Sequence, residues 1–286
     1  MPKNISEVEF AVFDLETTGL QPELGDRVVE IAAVRLRGKQ RLGVFQSLVN
    51  PGERRISPDA FAVNHISQEM LKDAPSIAEI MPLFLDFISG ACLAAYNAPF
   101  DFAFLSSESG LINSQLVERL QIVDILIMAK RMLPGLERHS LAFVAKALGI
   151  DSLQEHRALS DTQITVEIFN RLNSILFKKG IVDFEQFVSL FGLSSQLLDN
   201  INNAKIARIQ EALNLGVSLK IKYLARHNTD FTEREVVPQA IIQDKNQFYL
   251  VGFCNLRKQE RTFKIENILH LEMGKSNALF KNRLTL

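Results

Sequence analysis

The spacing of apolar and polar positions changes period along the chain. Residues 8–14, "VEFAVFD", form a nearly continuous apolar run that predicts a buried strand, and "VVEIAAVRLRG" and "RLGVFQSLVNP" predict two more, joined by Gly-containing turns. Strands linked so closely predict an antiparallel meander. The period then becomes helical: "SIAEIMPLFLDFIS" has one apolar face, "ACLAAYN" is a short buried strand, "PFDFAFLSSESG" is a helix opened by Pro99, and "LQIVDILIMAKRML" is a strand passing into a helix. "SLAFVAKALGI" and "SDTQITVEIFNRLNSILFKKG" are further helices, the second with Ser160 and Gln163 at capping-box spacing and Gly180 as its stop. Three antiparallel strands followed by alternating helices and strands predict an α/β sandwich around a mixed sheet.

Residues 181–203 are helical in pattern and Gln/Asn/Ser-rich near their end, which predicts a connector. Beyond them "AKIARIQEALNLG" predicts a lead-in helix, and "VSLKIKYLARH", "REVVPQAIIQD", "QFYLVGFCNL" and "RTFKIENILHLEM" predict four strands of a small barrel or curled sheet. The charge divides at the same place. Residues 1–203 hold 18 Lys and Arg against 25 Asp and Glu, and residues 204–286 hold 14 against 8, so the net charge of −1 conceals an acidic first part and a basic last part. A basic part is a candidate face for nucleic acid, and equally a solvated face. With 286 residues and 47% hydrophobic content the chain has enough apolar side chains for a real core. No apolar leader opens it, and its most apolar stretch, residues 81–100, is broken by Pro82, Asp86, Asn97 and Pro99, so a soluble, cytoplasmic protein without a membrane span is expected. Cys92 and Cys254 fit no zinc or redox spacing and are expected as reduced core residues.

The chemistry is carried by acids. "FDLETTG" places Asp14 and Glu16 two residues apart at the end of a strand, so their side chains share one face and repel unless a cation lies between them. Asp101 in "AYNAPFDFAFL" and Asp161 after "HRALS" sit in first helical turns, where the helix macrodipole alone accounts for either of them. Together, with no Cys or His cluster nearby, the four are the donor set that hard cations such as Mg²⁺ or Mn²⁺ select. Two such ions clamp the attacking and leaving oxygens of a phosphodiester displacement. His156, five residues before Asp161, is placed to take the proton from the attacking water. An EF-hand calcium loop at "DLETTG" is excluded, because its twelfth position is Gly25 and strand-like residues precede it.

"FDLETTG", "AYNAPFDFAFL" and "HRALSD", in that order, resemble the three motifs of the DEDDh 3′-to-5′ exonuclease superfamily, a likeness that spans residues 8–175. It implies a ribonuclease H-like fold, two divalent cations, the metal ligands Asp14, Glu16, Asp101 and Asp161, and His156 as general base. It also implies substrate contacts from Thr17, Thr18, Gly19 and Leu20, and from Asn97 and Phe102 of the second motif. "VNHISQEM" resembles a further substrate-contact motif usually read as His-Gly-Ile-Thr, here occupied by Asn64, His65, Ile66 and Ser67. Asn64 is then a nucleotide contact and Ile66 a wedge against a base. Tyr96 stands where many members have His.

The last part resembles a WYL domain, a small Sm/SH3-like β fold that binds nucleic acid or nucleotide-like ligands, with Phe248, Tyr249 and Leu250 in place of its name motif. Tyr223, Arg234, Tyr249, Arg257, Arg261 and Lys264 are the expected stacking and phosphate-binding positions, Tyr249 being equally well placed as a core residue. The expected organisation is an exonuclease domain at 1–180, a helical linker at 181–203 and a WYL-like domain at 204–286. The expected function is metal-dependent release of nucleotides from the 3′ ends of single-stranded DNA or RNA, DNA favoured. Two rivals stand beside it: a proofreading exonuclease recruited by a polymerase, for which no clamp-binding peptide is evident, and a non-enzymatic nucleic-acid-sensing regulator.

Overall fold

The structure, a computed structural model, describes residues 3–111, 120–151, 154–193, 196–224, 231–244 and 247–276. The chain divides into two compact units, residues 1–184 with 191–195, and residues 185–190 with 196–286.

The first unit is built on a five-stranded mixed sheet. Strands β1 (Glu9–Thr17), β2 (Val28–Arg37) and β3 (Gln40–Leu48) form the antiparallel meander, and β4 (Cys92–Ala95) and β5 (Ile122–Asp124) add in parallel, giving the order β3-β2-β1-β4-β5. Side chains of β1 alternate between two covered faces, which is why its sequence reads as a continuous apolar run. Between the strands lie α1 (Pro58–Asn64), α2 (Gln68–Leu71), α3 (Ile77–Phe87), α4 (Ala98–Leu111), α5 (Ile125–Met132), α6 (Leu141–Ala147) and α7 (Ala158–Lys178). Phe13 faces Phe84 of α3, their ring centroids 6.1 Å apart, while Phe10 packs edge-on against Phe169 of α7 at 4.9 Å. Both rings of β1 are fully buried, each contributing about 1.5–3 kcal/mol of apolar burial. The alternation puts Asp14 and Glu16 on the same side as Phe10, the side that α7 covers.

Two helix starts depart from expectation. Helix α1, which the apolar pattern did not announce, begins where the Ser57 hydroxyl accepts the Ala60 N–H and Pro58 occupies the first turn. The capping box expected from Ser160 and Gln163 does not form, because α7 starts at Ala158 and Ser160 lies inside its first turn. The Ala158 N–H donates instead to Glu30 Oε2 of β2 at 3.0 Å, so a distant strand supplies the cap.

Helix α8 (Phe184–Phe191) follows, and then α9 (Gln196–Leu215), which runs unbroken through residue 203, where the sequence placed a change from connector to domain. In the second unit α9 leads into β6 (Val217–Leu224), β7 (Phe231–Asp244), β8 (Gln247–Cys254), β9 (Gln259–Lys264) and β10 (Ile268–Ser276), an all-antiparallel sheet ordered β10-β6-β7-β8-β9. The sequence expected four strands. Its last segment is two, because a 3₁₀ turn at Ile265–Asn267 buries Ile265 and breaks the run. Ile209 and Ala212 of α9 pack with Leu219, Ile221, Val236, Leu250, Phe263 and Leu271 to form this unit's core. Residues 277–286, expected at the end of the WYL-like domain, lie outside the described residues. Cys92 and Cys254 are buried free thiols. Among the described residues no helix is long and apolar enough to cross a membrane.

Candidate active site

Strand β1 delivers Asp14 and Glu16, and at Glu16/Thr17 its register with β2 shifts, so that Thr17 pairs with Val28. The first turn of α7 delivers Asp161. One carboxylate oxygen from each of the three lies within 4.8 Å of the others. Asp101, in the first turn of α4, is buried, and its Oδ1 accepts the Leu15 N–H of β1 at 3.1 Å. It stands against β1 beside Asp14, outside the tight trio.

Acids so crowded resist ionisation. Burial pushes Asp14 well up, reinforced by the charges of Asp101, Glu16, Asp161 and Glu30. Burial raises Glu16 to about 8, with Asp161 and Glu30 adding to the effect and the Asn64 side chain opposing it. Asp101 is raised to about 8 by burial, against the pull of the Leu15 N–H. Asp161 is raised by burial and lowered in part by Gln154.

Asp161 shows whether a cation fits. Its Oδ2 accepts the Gln154 Nε2–H at 2.7 Å, while its Oδ1 is buried with no hydrogen-bond partner. A buried carboxylate oxygen left alone is costly, and the residue that carries it is grouped with two more carboxylates. An all-oxygen set with an orphaned oxygen fits a hard divalent cation.

His156 is exposed, in the left-handed backbone region with φ 52°, and its Nδ1 lies 3.5 Å from the same Gln154 Nε2. The residues after it are tied down. Glu30, fully buried on β2, accepts from Arg157 Nε at 3.0 Å, Arg157 Nη2 at 2.9 Å, Gln46 Nε2 at 3.1 Å and the Ala158 N–H.

A cavity of about 510 Å³ opens beside Glu16. Of the expected substrate contacts, Thr17, Gly19, Leu20 and Asn64 line it. Leu20 is 77% exposed, an apolar side chain presented to solvent at its rim. The turn is set by Asp26, which accepts the Gln21 N–H and the Arg54 guanidinium, and a Cβ at Gly19 would run into the Asp26 carboxylate. Four expected contacts do not line the cavity. Ile66 is fully buried against Val29 and Leu71, which corrects its reading as a base wedge. Thr18 is fully buried, its hydroxyl donating to Asp26 Oδ1 and accepting the Arg27 N–H. Phe102 packs against the main core, and Asn97 is an exposed residue with φ 65° just before α4. Tyr96 is engaged elsewhere, its hydroxyl donating to the His139 carbonyl at 2.8 Å.

Sequence reasoning missed Arg54, Val63 and Phe100, all of which line the cavity. Val63 would have been visible from the Ser57-Pro58 helix start, since Ala60, Val63 and Asn64 then fall on one face at the helical i, i+3, i+4 spacing. Phe100 directly precedes Asp101. Arg54 carries no local signal.

The second unit has its own cavity of about 520 Å³, lined by Tyr223, Arg234 and Arg261 together with Glu260, Thr262 and Phe263. Tyr223 is held edge-on to Phe263, and its hydroxyl accepts the Lys264 N–H. The other candidates lie apart from that cavity: Lys264 is ion-paired with Glu266 at 2.6 Å, Tyr249 is half-buried with its hydroxyl on Gln247, and Arg257 is exposed on the turn after β8.

A family model described as an exonuclease matches residues 11–169, and one described as a WYL domain matches residues 204–273. A DNA polymerase III subunit epsilon of Treponema pallidum is 39% identical over 58% of this chain and 76% of its own length. A DNA polymerase III subunit epsilon-like protein of Rhodobacter capsulatus is 38% identical over 69% of this chain, which spans 28% of that relative's length. Escherichia coli exonuclease I, in a complex with a dA16 oligonucleotide, shares the fold at a TM-score of 0.56 with 17% identity, over 86% of this chain and 55% of that one.

Proposed function

The chain belongs to the DEDDh exonuclease family, and from that premise we propose that it is a metal-dependent 3′-to-5′ exonuclease that releases nucleotides from single-stranded nucleic acid, DNA favoured over RNA. The observation that carries this reading is the trio Asp14, Glu16 and Asp161, with its orphaned Asp161 oxygen and with Glu16 lining a cavity large enough for a nucleotide. Asp14, Glu16, Asp101 and Asp161 would hold two divalent cations, Mg²⁺ or Mn²⁺. When bound, such ions acidify water and neutralise charge on the reacting phosphodiester.

The chain's own side chains supply the rest. His156, solvent-facing and next to the acidic site in sequence, takes the proton from the attacking water at a ring nitrogen. Thr17, Gly19 and Asn64 line the pocket for the terminal nucleotide, and Leu20, Val63 and Phe100 offer apolar surface to its base. The Asp26–Arg54 pair fixes the far wall and leaves Arg54 partly exposed to a backbone phosphate. In the second unit Tyr223, Arg234 and Arg261 are the positions for stacking and phosphate contact with a single strand or a nucleotide-like effector.

The test is digestion of end-labelled single-stranded and duplex DNA and RNA in Mg²⁺, Mn²⁺ or EDTA. Metal-dependent shortening from the 3′ end of single strands supports the proposal, and no turnover in either metal overturns it. A second reading, proofreading for a polymerase, is favoured by the two relatives that carry polymerase III epsilon names. Preferential removal of a mismatched 3′ terminus from a primed duplex would favour it.

A further inference from the structure

We propose that Glu30 and Arg157 form a clamp that positions His156, so that both are positioning residues of the hydrolytic site although neither touches substrate. This rests on the exonuclease reading above.

His156 has a backbone that a residue with a side chain adopts only when its surroundings hold it there, with φ 52°. The restraint comes from both flanks. On the N-terminal side Gln154 donates to Asp161 Oδ2, which fixes the approach of the loop to the acidic trio. On the C-terminal side the next two residues are both tied to one buried carboxylate: Arg157 by its Nε and Nη2, and Ala158 by its backbone N–H. Glu30 cannot itself shift, because it lies in the middle of the sheet with Leu48 of β3 and Glu16 of β1 as its strand partners, and its Oε1 also accepts from Gln46.

The arrangement differs from an ordinary structural ion pair in two ways. Glu30 is fully buried and stands directly opposite Glu16, so its position is tied to the trio's own strand. Its three contacts end on the two residues that follow His156, so any slack in them appears at the imidazole. A displacement of about 1 Å in a reacting group costs as much as 100-fold in rate, which sets the scale of the effect. Glutamine at position 30 keeps one acceptor oxygen but turns an N–H₂ toward the guanidinium. Lysine at position 157 keeps the charge but has no second prong.

The experiment compares Glu30→Gln and Arg157→Lys with wild type, each alone and in a His156→Ala background, on a short single-stranded oligonucleotide at saturating Mg²⁺. The clamp predicts a fall in kcat of about 10- to 100-fold with KM within about threefold. In the His156→Ala background it predicts no further fall, because the group being positioned is already gone. It also predicts faster hydrogen exchange at the Ala158 amide in metal-free Glu30→Gln, with the central strands unaffected. Unchanged kcat in both single variants, or equal losses with and without His156, would overturn the clamp. Should Glu30→Gln fail to fold, Arg157→Lys decides alone, since its side chain is 35% exposed and its loss leaves no cavity in the core. A wild type without activity would count against the exonuclease reading, while the exchange measurement would still decide whether the clamp holds the loop.

Discussion

Glu16 and Glu30 stand directly opposite each other across the β1–β2 ladder, two carboxylates on one face of the sheet with different engagements. Like charges so placed destabilise a strand pair. Glu30 is answered inside the protein by Arg157, at 2.9 Å, whereas Glu16 forms no ion pair among the described residues and belongs to the acidic trio. The site therefore gathers acids that its own fold does not pair, and burial and crowding favour their protonated forms.

Removing part of that charge should separate stability from activity. Asp161→Asn eliminates the carboxylate with the orphaned oxygen, and we expect an equal or higher melting temperature without metal, no stabilisation on adding Mn²⁺, and loss of nuclease turnover. Thermal melts with EDTA and with Mn²⁺ check this. Mn²⁺ stabilisation equal to wild type would mean that Asp161 is not a ligand.

The raised carboxyls also fix the sign of the pH dependence. Glu16 moves from 4.5 to about 8, so between these values the folded state holds protons that the unfolded chain has released. Stability of the metal-free protein should be greatest below the unfolded value and decline as pH rises through about 8, the reverse of the usual carboxylate effect. Divalent cations, which bind the ionised form, should stabilise most at the alkaline end. Melting curves from pH 5 to 9 with and without Mg²⁺ read both trends.

Ile66 and Val63 should divide packing from substrate binding. Ile66→Ala removes a fully buried side chain and should cost about 2–5 kcal/mol of stability with KM unchanged for the folded fraction. Val63, 48% exposed at the cavity, should give a stability change within about 0.5 kcal/mol on truncation to Ala but a higher KM for short oligonucleotides. Denaturant titration and steady-state kinetics on both variants provide the comparison.

His156→Ala should retain Mn²⁺ stabilisation and slow hydrolysis by roughly 10²–10⁴-fold, with partial recovery as hydroxide rises. A rate equal to wild type from pH 6 to 9 would give the histidine a purely structural place.

In the second unit the structure ranks the candidates that the sequence left level. Arg261→Ala and Arg234→Ala should each flatten the salt dependence of single-strand binding by about 0.7 in log–log slope, one phosphate contact. Lys264→Ala should change it less, because that ammonium is already paired with Glu266. Binding in Ca²⁺ over a range of salt tests the order, and a steeper loss from Lys264 would reverse it.

How much of this was legible in the sequence depends on the range of the interaction. The meander, the mixed sheet and the shared face of Asp14 and Glu16 were readable because strand and helix periods, and the i, i+2 spacing of those two acids, are local. Ile66 was misplaced because its motif position said nothing of depth, and it sinks between Val29 and Leu71. Ser160 was misread as a cap because the real cap, Glu30, is 128 residues away from the Ala158 N–H that it accepts. Arg54 went unnoticed for the same reason, since its partner Asp26 is 28 residues back along the chain.

That distance between Glu30 and Ala158 sets a timetable for the protein as it is made. At 5–20 residues per second, the ribosome needs about 6–25 seconds to add the 128 residues that separate them. Until then the first strands carry Asp14, Glu16 and Glu30 without Arg157 or Asp161, and the Glu30 carboxylate has no helix to cap. The acidic trio is thus incomplete, and Glu30 lacks its guanidinium partner, until the last helix of the first unit has emerged and closed on the sheet.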